Sequence, residues 1–309
     1  MKIMFMGTPA FAVPSLKALM DHHYNVVAVV TAPDKPAGRG LKLHESEVKK
    51  FALQHHLPVL QPTNLKSDDF YEQLQFYDPD LIVVVAFRML PEKVWSYPKI
   101  GTMNVHASLL PDYRGAAPIN WVLINGEKIT GVTTFWIDKE IDTGKILLQK
   151  SIEIMPEWNA GNLHDKLMYL GADLLIETIQ KIENQNIKPI DQDISLYRHH
   201  APKLNNENTQ IHWNKTDTEI HNLIRGLAPS PGAWTVFNNL KLKIFRSQIT
   251  SLTSDLPSGT MFAKNKTIYV VTGNQKLLSI FELQLEGKSK ASATDFINGH
   301  FKNQEIYKL

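Results

Sequence analysis

The sequence predicts an α/β protein in two parts: a Rossmann-like parallel sheet over residues 1–204, then a small antiparallel β-barrel of OB-like form over residues 205–309. Three observations carry this reading. Near-continuous apolar runs of strand length alternate with amphipathic stretches through the N-terminal half, as strands covered on both faces require. The texture then changes around Asn205, Asn206 and Asn208, a turn-like cluster. Beyond it, short runs of alternating polarity are separated by turn residues. A chain of 309 residues also exceeds one ordinary core and fits two domains.

The elements follow in order. "KIMFMG" reads as a first strand, broken at Gly7-Thr8-Pro9. "VPSLKALMDHH" places Leu16, Leu19 and Met20, with the preceding Ala12, on one helical face. "VVAVVT", "LIVVVAF" and "TMNVHA" continue the strands, and their alternation with helices predicts right-handed parallel crossovers. "GVTTFWID" and "KILLQKSIEI" precede a helix from about Asn159 to Glu183, whose Leu163, Leu167, Leu170 and Leu174 keep helical spacing. After the linker, "AWTVF", "LKLKIF", "TIYVVTG" and "KLLSIFELQL" read as antiparallel strands, with Trp213 and Trp234 expected in their core.

Several chemistries are excluded. The chain has no cysteine, which removes disulfides, thiolate metal sites and cysteine nucleophiles. Only Gly7 of "MGTPAFAVPS" is a glycine, and neither G-x-G-x-x-G nor a Walker A pattern occurs, which argues against nicotinamide, flavin and nucleoside triphosphates. His199, His200 and His221 lack zinc-motif spacing and read as surface or structural, and no metal is expected. The longest apolar run, Leu81 to Phe87, is far below the roughly 20 residues of a spanning helix. With no targeting segment visible, the expectation is a cytoplasmic, monomeric protein. The formal charge of +2 conceals an asymmetry: residues 1–209 hold 21 basic against 24 acidic side chains (−3), and residues 210–309 hold 12 against 7 (+5). A basic C-terminal third points to a polyanionic partner.

Two stretches carry the candidate sites. The segment from Val30 to Ala52 is long for a strand-to-helix loop and sets Lys35, Arg39 and Lys42 among Pro and Gly, as a grip on a nucleic-acid backbone would. "NVHASLLPDYRGAAPIN" places Asn104 and His106 two apart on a strand, so both side chains project from one side at the end where parallel sheets hold ligands. An amide and an imidazole together suit an oxyanion hole. A carboxylate beside His106 would fix its tautomer and favour its charged form; Asp138 and Asp142 of "DKEIDTGKIL" both qualify.

On these residues the chain resembles the folate-dependent formyltransferases, most closely the branch acting on methionyl-tRNA, and the likeness runs nearly end to end. "NVHASLLPDYRGAAPI" and "GVTTFWIDKEIDTGKIL" carry it, supported by "FMGTPAFAVPSLKAL", "PDKPAGRGLKL", "APKL", "IHW" and "IRGLAPSPGAW". The resemblance implies Asn104, His106 and Asp142 as catalytic residues. Ser108, Leu109, Leu110 and Pro111 would line the site of 10-formyltetrahydrofolate, the formyl donor. Arg39, with Lys35 and Lys42, would contact methionyl initiator tRNA, and the C-terminal barrel would hold the RNA further along. Two departures from the family pattern stand out: "AFRMLP" is one residue shorter than expected at Phe87-Arg88, and Ala107 replaces the usual glycine. Formyl transfer to a sugar amine or a glycinamide ribonucleotide, release of formate, or RNA binding without catalysis are the rival readings.

Overall fold

The computed structural model describes residues 1–37, 42–301 and 306–309. β1 (Lys2–Gly7) is followed by α1 (Val13–Asp21), β2 (Asn25–Val30), a hairpin of β3 (Lys35–Ala37) and β4 (Lys42–His44), α2 (Glu47–Gln54), β5 (Val59–Leu60) and α3 (Asp68–Tyr77). Then come β6 (Leu81–Val85), α4 (Glu92–Trp95), β7 (Gly101–His106), β8 (Arg114–Gly115), α5 (Pro118–Ile124), β9 (Ile129–Trp136), β10 (Ile146–Glu153) and the long α6 (Ala160–Glu183). Serine caps start two of these helices: Ser46 Oγ accepts from the Lys49 amide and Ser67 Oγ from the Phe70 amide.

The apolar runs form one sheet in the order β10-β9-β7-β6-β1-β2-β5. β5, β2, β1, β6 and β7 are parallel, and β9 returns antiparallel beside β7. Ile3, Met4, Phe5, Ile82 and Val83 are fully buried, as both-face coverage of the sheet demands. The chain leaves β1 toward β2 and β5, then returns to β6 on the other side. That reversal puts the switch point of the sheet at the carboxyl ends of β1 and β6, where such sheets take ligands. Gly7 closes β1 at this point. A Cβ there would sit 2.7 Å from the Ala12 Cβ and 3.0 Å from the Val85 carbonyl oxygen, so close approach alone calls for glycine.

The compact units are interleaved in sequence: residues 1–115, 129–152 and 164–200 form one, and residues 116–128, 153–163 and 201–309 the other. After β11 (His200–Ala201), the second unit's α7 (Asp217–Leu227) packs on α5, with the Asn120 amide donating to the Gly226 carbonyl at 2.7 Å. The sheet then builds from β12 (Ala233–Phe237), β13 (Leu240–Thr253), β14 (Thr260–Lys264), β15 (Thr267–Val271) and β16 (Lys276–Leu285). β17 (Ala291–Ser292), α8 (Ala293–His300) and β18 (Tyr307–Lys308) complete it. The order β12-β13-β16-β15-β14-β18, antiparallel throughout, curls into half a barrel around Ile224, Leu242, Ile268, Leu278 and Leu283. Trp213 is in that core, its Nε1 donating to Thr235 Oγ1 at 3.1 Å. Trp234 is not: it lies on the outer face of β12, half-buried, with Lys241 over its ring. No helix among the described residues is long and apolar enough to cross a membrane.

Asp217 anchors the start of α7 from a site only 2% exposed. Its Oδ1 accepts from the Thr218 amide and from Asn274 Nδ2, both at 2.9 Å, and Lys276 Nζ stands 3.6 Å from Oδ2. Burial pushes its pKa up, but the Asn274 and Thr218 donors and the Lys276 charge outweigh it and hold the carboxyl below its usual range. A depressed folded-state pKa stabilises above the unfolded value of about 3.9, and that stability is lost as pH falls through the folded value. Asp217→Asn is therefore expected to cost about 1.5–3 kcal/mol at pH 7. Thermal melts should show the gap from wild type narrowing below about pH 4; a gap independent of pH would contradict this assignment.

Candidate active site

β7 carries Asn104 and His106 on one side of the sheet, opposite Phe135 and Thr133 of β9 respectively. His106 is 6% exposed, with its ring edge-on to Phe135. Its Nε2 lies 2.9 Å from the carbonyl oxygen of Tyr113, a residue held at φ +60°. A carbonyl only accepts, so Nε2 carries a proton and Nδ1 is the nitrogen turned toward the chemistry. Asn104 is half-buried, and its carboxamide takes no hydrogen-bond partner among the described residues.

Of the two aspartates left open by the sequence, the geometry brings Asp142 to the histidine. Its Oδ2 lies 3.8 Å from His106 Nδ1, too long for a direct hydrogen bond. The same oxygen accepts from the Gly115 amide at 2.9 Å, and the residue sits at φ +56°. Asp138 instead caps its own turn, with Oδ1 on the Lys139 amide at 2.6 Å. With Nε2 committed to the Tyr113 carbonyl, Nδ1 is the ring nitrogen left facing Asp142.

Residues 108–111 form a loop pinned from beneath. Thr133 Oγ1 donates to the Ser108 carbonyl (2.7 Å) and accepts from the Leu110 amide (3.1 Å). Gln149 Nε2 reaches both the Leu110 carbonyl (2.8 Å) and Thr133 Oγ1 (2.9 Å). Ser108 Oγ is spent on the Asp112 carbonyl at 2.8 Å. Ser108, Leu110 and Pro111 are buried, so Leu109 is the member of the four with surface to offer a ligand. Thr133 and Gln149 were invisible as site residues in the sequence, because nothing local marks a hydroxyl that serves a loop 23 residues upstream.

Just past the carboxyl end of β6, Ala86 adopts φ +49° and Phe87 packs on the sheet's core. The shortened segment is braced by Arg88, whose guanidinium donates to the Thr63 carbonyl at 3.0 Å and to that of Pro62. The basic loop is the β3–β4 hairpin. Lys35 is exposed on β3 and Lys42 opens β4, while Arg39 lies outside the described residues. Asp34 at its foot pairs with Lys49 (2.5 Å) and accepts from Gln61 (2.8 Å). In the other unit a cavity of about 180 Å³ is lined by Asn205, Asn206, Trp234, Lys241 and Lys243, without a carboxylate. Among the described residues no cluster of three His, Asp or Glu could hold a metal ion.

Comparison with known proteins matches this chain at both ends. A family model described as formyl transferase covers residues 1–179, and one described as the C-terminal domain of formyl transferase covers residues 203–301. A methionyl-tRNA formyltransferase of Azobacteroides pseudotrichonymphae is 49% identical over 97% of this chain and 96% of its own length. That of Flavobacterium johnsoniae is 46% identical over the same shares. Among solved structures, HypX from Aquifex aeolicus in complex with tetrahydrofolic acid shares the fold at a TM-score of 0.66 and 15% identity. That match covers 99% of this chain, which spans 50% of the HypX chain.

Proposed function

The chain belongs to the formyl transferase family, among its methionyl-tRNA formyltransferases, and on that premise we propose that it moves the formyl group of 10-formyltetrahydrofolate to the α-amino group of methionyl initiator tRNA, priming translation. The observation that carries the catalytic reading is the half-buried Asn104 amide, without a hydrogen-bond partner among the described residues, on the same strand as His106, whose Nδ1 faces Asp142. The folate is a substrate here. The half-buried Leu109 of the pinned 108–111 loop and Phe87 at the carboxyl end of β6 offer apolar surface of the kind a pterin ring fits.

The amine nitrogen attacks the formyl carbon, the carbon–nitrogen bond to the folate breaks, and the amine's proton ends on the folate nitrogen. Asn104 donates to the formyl oxygen as it gains negative charge. His106 keeps Nε2–H on Tyr113 and turns Nδ1 toward the reacting centre, where a proton on it is donated to the same oxygen. Asp142 accepts the amine proton, directly or through water. The substrate's α-amino group, with a pKa of about 7.7–8.0 in simple peptides, has a usable neutral fraction at pH 7. What the protein supplies is therefore alignment, worth roughly 7–11 kcal/mol, and the handling of charge.

We assign the tRNA to the Lys35–Lys42 hairpin, Arg39 included, and to the basic C-terminal unit, with the catalytic part over residues 1–204 and the RNA-holding part over 205–309. The carboxylate-free cavity beside Trp234 supports that division of labour. A cytoplasmic monomer accords with a substrate made and used in translation. The test is formyl transfer by the purified protein to methionyl initiator tRNA, alongside an aminosugar nucleotide and glycinamide ribonucleotide. Formylmethionyl-tRNA is the expected product. Formylation of a small amine alone, release of formate alone, or tRNA binding without turnover would each replace this reading.

A further inference from the structure

A carboxamide 50 residues downstream holds the turn that presents Asp142. Gln192 Nε2 donates one proton to the Asp142 carbonyl at 2.9 Å and the other to the Gly144 carbonyl at 2.8 Å. Its Oε1 accepts from Arg114 Nε at 3.1 Å and Nη2 at 2.6 Å. Gly115, the residue after Arg114, is the one whose amide holds Asp142 Oδ2. One side chain thus fixes the main chain of Asp142 and, through Arg114, the strand that grips the Asp142 carboxylate. We propose that Gln192 is a positioning residue for Asp142, setting where its carboxylate stands relative to His106; the inference rests on the reading of Asp142 given above.

The residue type fits the task. The role needs two donors and an acceptor in one plane at the end of a side chain with two methylenes, which is glutamine alone. Glutamate would keep the bonds from Arg114 but set a carboxylate against two carbonyl oxygens. Leucine would fill the volume and make none of the four bonds. The segment around Gln192 is itself tied down, since Ile190 and Ile146 exchange backbone hydrogen bonds at 2.8 and 2.9 Å. Loss of the carboxamide should therefore release the 142–144 turn more than its own segment. Asp142 occupies a left-handed backbone conformation that most L-residues avoid and keep only where the surroundings enforce it.

The experiment compares wild type, Gln192→Leu, Gln192→Glu, Asp142→Asn and the double variant Gln192→Leu/Asp142→Asn in steady-state formyl transfer, with a thermal melt of each. The expected result is a kcat about 10–100-fold lower in both Gln192 variants. KM for folate and tRNA should stay within about twofold, and Gln192→Leu should add nothing to Asp142→Asn. Wild-type kcat in Gln192→Leu overturns the proposal. So does a further loss in the double variant as large as in the single one, because Gln192 would then act on something other than Asp142. A Gln192→Glu variant with wild-type kcat also overturns it, because the two carbonyl contacts would be dispensable. Should Gln192→Leu fail to fold, Gln192→Glu carries the comparison. Full activity of Asp142→Asn would instead refute the reading of Asp142 itself.

Discussion

Replacing Asn104 with alanine is expected to lower kcat for formyl transfer by about 10²–10³-fold while leaving the fold untouched. Both halves follow from one observation: the Asn104 amide has no hydrogen-bond partner among the described residues. Removing it breaks nothing in the resting protein, so the melting temperature should stay near wild type, as for a change worth no more than about 0.5 kcal/mol. What it removes is a donor whose worth appears only as the formyl oxygen acquires charge. Such a donor strengthens from ground state to transition state and so lowers kcat and kcat/KM together, with little change in KM. Asn104→Asp should be worse than alanine, since an acceptor would then face the growing negative charge. Steady-state kinetics with a melt on each variant decides it. A kcat within about threefold of wild type in Asn104→Ala would remove Asn104 from the oxyanion site and leave Nδ1 of His106 alone there.

The sequence made Asn104 and His106 legible because a strand has a period of two, and that period needs no knowledge of the rest of the chain. It could not choose between Asp138 and Asp142. The choice depends on a left-handed backbone at Asp142 and on the Gly115 amide 27 residues away, neither of which leaves a local trace. Ser108 shows the same limit on a smaller scale: its position in the loop was readable, but the direction of its hydroxyl, inward to the Asp112 carbonyl, was not. The two tryptophans separate pattern from composition. Apolarity placed both in the core, yet along "AWTVF" it is Ala233, Thr235 and Phe237 that point inward, so Trp234 falls outside by strict alternation. The asparagine cluster at 205, 206 and 208 located the change of character near residue 205. The return of residues 116–128 and 153–163 to the C-terminal unit is a matter of long-range packing that no window of sequence displays.

Gly144→Ala is expected to be as damaging to turnover as loss of the Asp142 carboxylate, and to destabilise the protein as well. A Cβ on Gly144 would lie 1.7 Å from the Trp136 carbonyl oxygen and 2.9 Å from its carbon. Both are backbone atoms at the end of β9 and have no rotamer to yield, so the turn between β9 and β10 must open by more than an ångström to reach ordinary contact. That turn is closed at its neck by the Trp136 amide on the Lys145 carbonyl at 2.9 Å, and Gln192 holds the Gly144 carbonyl at 2.8 Å. Asp142 stands two residues before the clash, so a shift of that size carries the carboxylate away from His106, and misplacement on this scale costs about 10²-fold in rate. The strain should appear as roughly 1–3 kcal/mol of lost stability. Gly144 has no unusual φ, so what excludes alanine is space and not backbone freedom, and a control can separate the two. Gly299 in α8 has nothing within 4 Å of its would-be Cβ, so Gly299→Ala should leave turnover unchanged and stabilise by up to about 0.5–1 kcal/mol. If Gly144→Ala turned over within about threefold of wild type, the placement of Asp142 would not depend on the close crossing of this turn over Trp136, and the third member of the site would have to be sought elsewhere.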